Sequence, residues 1–173
     1  MDIKKTANLF ANFTIKRIAE ILGITVFCSG ILLLLALLTY SPNDPNFVFP
    51  ENTKIENILG FRGSFISDIF FQSIGLISYL FAFTLIVSGI NIIRTKEFFL
   101  IIENIFFAVI YSMLGTLFLA YFYSEAFTLY INGNGGFIGS YLNQTFLNSI
   151  ILINEVIFYY FLIISNIFLL LIS

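Results

Sequence analysis

Two glutamates stand inside otherwise apolar runs, Glu103 near the start of the run 98–122 and Glu155 near the start of 150–172. A carboxylate within a membrane span is a functional candidate, because keeping it there is costly unless it serves a proton or ion path. Depth weighs against that role. Each lies about five residues inside its run, about 7–8 Å at 1.5 Å per residue, whereas the midplane of the hydrocarbon is about 15 Å down. At that depth the side chain reaches the interface or is neutralised by desolvation. The expectation is a pair of interfacial or bundle-facing structural carboxylates, with a proton or ion path as the competing reading. Glu20, near Arg17 at the edge of the first apolar run, is expected at the interface.

The segment INGNGGFIGS is the other place where spacing suggests chemistry, since glycine-rich loops cradle phosphates. Gly133, Gly135 and Gly139 miss the G-x-G-x-x-G spacing because position 138 is Ile, and no Lys-Ser/Thr pair follows to hold phosphate and magnesium. A flexible turn before a short helix is the expectation instead. The chain has no His, no Trp and a single Cys, Cys28. Ser-His and Cys-His catalysis, a disulfide within one chain and the usual His/Cys zinc sites are therefore excluded. No cofactor or metal site is expected.

The elements that carry these residues belong in lipid. Of 173 residues, 59% are hydrophobic and 10% charged, against about 25% charged in a soluble domain; the mean hydropathy is +0.98. That composition excludes a soluble enzyme. A net charge of -2 offers no basic surface for nucleic acid. Crossing a core about 30 Å thick takes about 20 apolar residues, and four runs qualify: 21–40, 69–93, 98–122 and 150–172. Their length fits helices rather than alternating strands. The expected fold is an all-α membrane protein, a four-transmembrane-helix bundle occupying 21–172 behind a short basic segment, 1–20. The first run exceeds the h-region of a signal peptide and no A-x-A site closes it, so it reads as an uncleaved anchor, with a cleaved signal as the alternative.

Basic residues orient the bundle. Lys4, Lys5, Lys16, Arg17, Arg94 and Lys96 fall on one side and Lys54 and Arg62 on the other, six against two, so both termini are expected in the cytoplasm. The first external loop holds all three prolines, Pro42, Pro45 and Pro50, and Ser41-Pro42 should end the first helix just past Tyr40. Residues 60–68 then suit an interfacial lead-in to the second span. In the second external loop a weakly amphipathic stretch follows the glycines. Gly75, Ser78, Ala82 and Gly89 share one face of the second span, Ala108, Ser112 and Gly115 one face of the third, and Gly23 and Gly30 lie a heptad apart in the first. Small faces let helices approach closely in lipid, either within one bundle or between subunits. The fourth span has almost none, and is expected at the periphery.

The end of the first span, ALLTYSPNDPNF, resembles the N-terminal four-helix membrane region of the FtsK/SpoIIIE DNA translocase family, with Thr39, Tyr40, Asp44, Pro45 and Phe47 on the family pattern and Asn46 in place of its usual small residue. Asn57 to Gly63, including Gly60, followed by Asp68 resembles the family's glycine-rich approach to the second span. Gly75-Leu-Ile-Ser-Tyr79 is similar to its Gly-x-x-small-Tyr pattern, and Gly135-Gly136-Phe137-Ile138-Gly139 to its Gly-Gly-x-x-Gly. Ala82 stands where the family often has Pro, which removes the proline cause of a kink.

The resemblance implies an inner-membrane anchor with short periplasmic loops, acting at the bacterial division septum in cell division and chromosome partition. It implies a homo-oligomer, a hexamer, that tethers an ATP-driven DNA pump and contacts other septal membrane proteins. DNA would be reached only through a motor domain with a Walker motif that these residues do not include. The chain itself is therefore not expected to be an enzyme. Its end at Ser173, directly after an apolar run, leads to the expectation of a fragment or a detached membrane domain. The alternative is a small polytopic channel or transporter subunit, which would need polar groups or broken helices near the midplane.

Overall fold

The computed structural model describes residues 3–45, 54–97, 99–124, 132–146 and 154–173. Phe47 and Pro50 lie outside the described residues, as does the expected start of the fourth span at 150–153. Six α-helices occur among the described residues: α1 (Ile3–Leu38), α2 (Gly60–Ile74), α3 (Ile77–Thr95), α4 (Leu100–Phe122), α5 (Gly136–Phe146) and α6 (Glu155–Ile172). Four of them, α1 from Leu9 onward together with α3, α4 and α6, are long and apolar enough to cross a membrane. The fold is all-helical, with two shorter helices, α2 and α5, in the long connections.

Helix α1 has 36 residues, about 54 Å at 1.5 Å per residue, so it outruns a core about 30 Å thick. An ionic cluster joins α1 to the end of α3. Glu20 accepts from Arg17 at 2.5 Å and from Lys96, just past α3, at 2.7 Å. From Glu20 to Leu38 the helix rises about 27 Å, close to the thickness it must cross. Lys96 itself takes a left-handed conformation, φ 60°, and closes α3 by donating its N–H to the Ile92 carbonyl.

The region expected as one span over 69–93 is two helices, α2 and α3, broken at Gly75 (φ 58°, ψ -140°). That conformation is open essentially only to glycine. Several backbone groups freed at the break find partners. Gly75 N–H donates to the Phe71 carbonyl at 2.9 Å, Leu76 N–H donates to the Asn134 carbonyl at 2.9 Å, and the Gly75 carbonyl accepts the Ser78 N–H at 3.1 Å. The Ser78 hydroxyl donates to that same carbonyl at 2.6 Å. The crossing segment is therefore 77–95, and Gly75 is not on the helical face that carries Ser78, Ala82 and Gly89. Helix α3 runs through Ala82 without interruption, so the break comes from glycine, seven residues before the position where proline was absent.

Helix α1 packs along α3, and α4 packs on α3, α5 and α6. The α1–α3 contact is close because side chains are missing from it: a Cβ on Gly23 would sit 2.7 Å from Ile93, one on Gly30 2.8 Å from Ile86, and one on Gly89 2.5 Å from the Phe27 backbone. Lipid tails compete equally for apolar side chains, so such backbone proximity is what makes helices associate. Leu33, Leu37, Phe71 and Ala82 form one buried cluster, and Ile77, Ala108 and Tyr111 a second. Helix α6 is peripheral, with Leu162 its one buried residue.

Two glycines with positive φ separate strain from crowding. Gly60 (φ 65°) has nothing within 4 Å of an added Cβ, whereas at Gly75 that Cβ would meet the Asn134 carbonyl oxygen. Gly60→Ala is expected to cost only the left-handed penalty, about 1–2 kcal/mol. Gly75→Ala adds overpacking to a conformation alanine avoids and is expected to cost about 4 kcal/mol. Thermal unfolding of the purified protein in detergent distinguishes the two, and equal losses would contradict the packing described here.

Candidate functional site

At the end of the bundle opposite the Glu20 cluster, two polar assemblies close the connections between spans. The first is built on Asp44, which is buried. Its Oδ1 accepts the Glu56 N–H at 2.8 Å and its Oδ2 the Asn57 N–H at 2.9 Å. Asn57, buried as well, returns the connection to α1: its Nδ2 donates to the Ala36 carbonyl at 2.9 Å and the Thr39 carbonyl at 3.2 Å. These are carbonyls of a helix end, which have no intrahelical partner. Asn57 Oδ1 accepts the Leu59 N–H at 3.1 Å, an Asx-type turn that leads into α2. Gly63 is glycine because a Cβ there would collide with Asn57 Oδ1.

Around this core, the Thr39 hydroxyl donates to the Leu35 carbonyl at 2.8 Å and accepts the Ile58 N–H at 3.3 Å. The Tyr40 hydroxyl donates to Asp68 Oδ1 at 3.2 Å, and the Ser64 hydroxyl donates to the Pro45 carbonyl at 3.1 Å. Tyr79 in α3 donates to the Leu37 carbonyl at 3.3 Å. Thr39, Tyr40, Asp44, Pro45, Gly63 and Asp68, singled out along 30 residues of sequence, thus meet in one assembly, with Gly60 at its edge.

The second assembly is built on Asn134. Its backbone carbonyl takes the Leu76 N–H at the α2–α3 break, and its Nδ2 donates to the Tyr123 carbonyl at the end of α4 at 2.6 Å. The glycines around it are pressed against neighbours rather than forming a flexible turn. A Cβ on Gly135 or Gly139 would lie 2.4 Å from the Thr116 carbonyl oxygen, and one on Gly136 2.6 Å from Ser73. The turn and short helix expected from INGNGGFIGS are present, but α5 is clamped onto α4 and the end of α2. The Asn132 amide adds a bond to the Gln72 carbonyl at 3.3 Å.

Glu103 and Glu155 lie in neither assembly. Both are exposed and fall in the first turn of their helices, α4 and α6, where a carboxylate meets the positive end of the helix dipole. Sequence spacing places them deeper because it starts the runs at 98 and 150. Glu155 accepts the Tyr121 hydroxyl at 3.2 Å. Asn154 caps α6, its Oδ1 accepting the Val156 N–H at 3.0 Å.

Sequence reasoning missed the weight carried by Asn57 and Asn134; an Asn two residues before an N–H that needs an acceptor, as in Asn57-Ile-Leu59, was the available signal. It also missed a neutral polar seam inside the bundle, where Thr84 and Tyr111 share a 2.8 Å hydrogen bond and Ser88, Asn104 and Thr116 are buried. No group of three or more His, Cys, Asp or Glu side chains comes together among the described residues. The arrangement ties helix ends together and satisfies backbone groups.

The chain matches, over residues 15–172, the family described as the 4TM region of DNA translocase FtsK/SpoIIIE. It is 26% identical over 98 residues to DNA translocase FtsK of Rhizobium meliloti, covering 57% of this chain and 11% of that protein. It is 38% identical over 73 residues to DNA translocase FtsK of Caulobacter vibrioides, covering 42% of this chain and 9% of that protein. With DNA translocase FtsK of Pseudomonas putida it shares 34% over 64 residues, 36% of this chain and 8% of that protein. The matched segments thus span about a tenth of the length of these relatives. No solved structure matches the chain.

The first assembly makes a direct prediction. Asp44→Ala strands the buried Asn57 N–H and the part-buried Glu56 N–H, and is expected to cost about 3 kcal/mol; Asp68→Asn keeps an acceptor for Tyr40 and is expected to cost about 1 kcal/mol or less. Unfolding midpoints in detergent measure both, and an Asp44→Ala protein as stable as the parent would remove Asp44 from the centre of the assembly.

Proposed function

The chain belongs to the family of the 4TM region of DNA translocase FtsK/SpoIIIE, and from that membership we propose that it is the membrane anchor of a septal DNA translocase. In this reading it gathers a hexameric ATP-driven pump at the closing septum of a dividing bacterium and meets other division proteins in the inner membrane. Chromosome partition is the work of the pump, and DNA is contacted through it alone. The observation that carries the reading is a match running through all four candidate spans and both polar assemblies.

The orientation proposed with it places both termini in the cytoplasm and the Asp44 and Asn134 assemblies in the periplasm, on the six-to-two distribution of basic residues. In this reading the periplasmic assemblies are the surface offered to septal partners. The channel alternative draws little support from the geometry. The helix break at Gly75 lies just before the start of α3, with the Gly75 and Leu76 N–H groups paired, and the buried seam among the described residues of α3 and α4 is uncharged. Glu103 and Glu155 serve here as helix-start carboxylates at the interface.

Reporters at Asn52 and Asn134 are expected to read external and one after Ser173 cytoplasmic; a cytoplasmic signal at Asn134 would remove this orientation. The chain fused to a fluorescent protein is expected to concentrate at division sites, and uniform labelling of the envelope throughout division would contradict the septal role. Glu103→Gln and Glu155→Gln keep size and hydrogen-bonding capacity, so insertion and division are expected unchanged. An ion or proton flux through vesicles that either substitution abolishes would favour the channel.

A further inference from the structure

A groove of about 490 Å³ separates α1 from α2. Its walls are Leu32 and Leu33 of α1, Ile66 and Phe70 of α2, and Leu85 of α3. It follows α1 from Ala36, near the helix end, to Ser29, a depth of about 10 Å. Asn57 ties the approach to α2 onto the carbonyls of Ala36 and Thr39, which sets the first turn of α2 level with the last turn of α1. Arg62 stands in that first turn, exposed and lining the groove, and has no carboxylate partner among the described residues. The groove therefore has a charged mouth at the membrane surface and an apolar body reaching into the hydrocarbon.

We propose that this groove is a site for an anionic phospholipid, one acyl chain lying between α1 and α2 and the phosphate held by the Arg62 guanidinium. Charge complementarity and the polarity of the groove argue for that occupant. Guanidinium matches phosphate in a bidentate fork, and the apolar walls suit an acyl chain. A free phosphate would leave the apolar walls unused, and a neutral diglyceride would leave Arg62 without a counter-charge. The site is independent of the septal reading, since it needs only the bundle and the bilayer.

Native mass spectrometry of the purified full chain in detergent, titrated with dioleoyl phosphatidylglycerol, tests it. Bound phosphatidylglycerol is expected at a ratio near one per chain, with dioleoylglycerol binding far more weakly and inorganic phosphate failing to displace the lipid. Arg62→Gln is expected to weaken binding about fivefold, the effect of one basic group at a membrane surface, whereas Lys54→Gln, which removes an exposed cation that does not line the groove, leaves it unchanged. Ser29→Phe fills the wall from an exposed position and is expected to exclude the acyl chain while keeping the unfolding midpoint. Equal weakening by Arg62→Gln and Lys54→Gln would mean diffuse surface charge and overturn the site. So would full competition by inorganic phosphate, or a loss of dimer mass in Arg62→Gln with lipid binding intact, which would make the groove a contact with a second copy. If Ser29→Phe unfolds the protein, the Arg62 and Lys54 comparison decides alone.

Discussion

Hydrocarbon supplies no hydrogen-bond partner, so each place where the chain leaves a helix near the membrane surface has to find its own. Helix ends concentrate that demand, with up to four unpaired carbonyls or N–H groups each. Asn57 answers it with a side chain that reaches the Ala36 and Thr39 carbonyls at the end of α1 and the Leu59 N–H before α2; Asp44 holds the Glu56 and Asn57 N–H groups, and Asn134 takes the Tyr123 carbonyl through its side chain and the Leu76 N–H through its backbone. Around them the Tyr40–Asp68 and Ser64–Pro45 bonds tie α2 to the same end of the bundle, and the Asn132–Gln72 bond joins the approach to α5 to α2.

Between the helices the constraint is of another kind. Apolar side chains gain little by leaving lipid for protein, so contact has to come from close packing. Gly23, Gly30 and Gly89 let α1 and α3 approach until Cβ atoms would not fit, and the Thr84–Tyr111 hydrogen bond joins α3 to α4. Neutral polar side chains suit this purpose, because a buried hydroxyl costs far less than a buried charge. The ionic cluster of Glu20 with Arg17 and Lys96 and the exposed Arg62 lie outside the seam between α3 and α4, and the buried Asp44 and Asp68 are met by N–H and O–H donors.

A bundle built this way packs closely where α1 meets α3 and presents apolar side chains on its outer faces. Helix α6 leaves every residue but Leu162 at least partly exposed, an apolar surface suited to lipid. Residues 15–172 carry this whole design and match one family throughout. The polar assemblies and the glycine contacts lie in the segments that tie its elements together.

Four apolar runs, Pro42 and Pro45 in the first connection, and the glycine clusters were legible in the sequence because each is a local property. An apolar run of about 20 residues has few alternatives to a membrane span, and proline or glycine acts on its own backbone. The ordered loop residues from Thr39 to Asp68 also carried the family resemblance. What no local property determines is which distant groups share a bond. The break at Gly75 needs the Asn134 carbonyl 59 positions away to receive the Leu76 N–H, and without that partner the apolar stretch 69–93 reads as one helix. Asp44 holds two N–H groups from Glu56 and Asn57 only once the loop has folded back on α1. The cap by Asn154 that puts Glu155 in the first turn of α6 is not visible in hydropathy. Tertiary structure decided those points, because a hydrogen bond in lipid is fixed by which partners folding brings within reach.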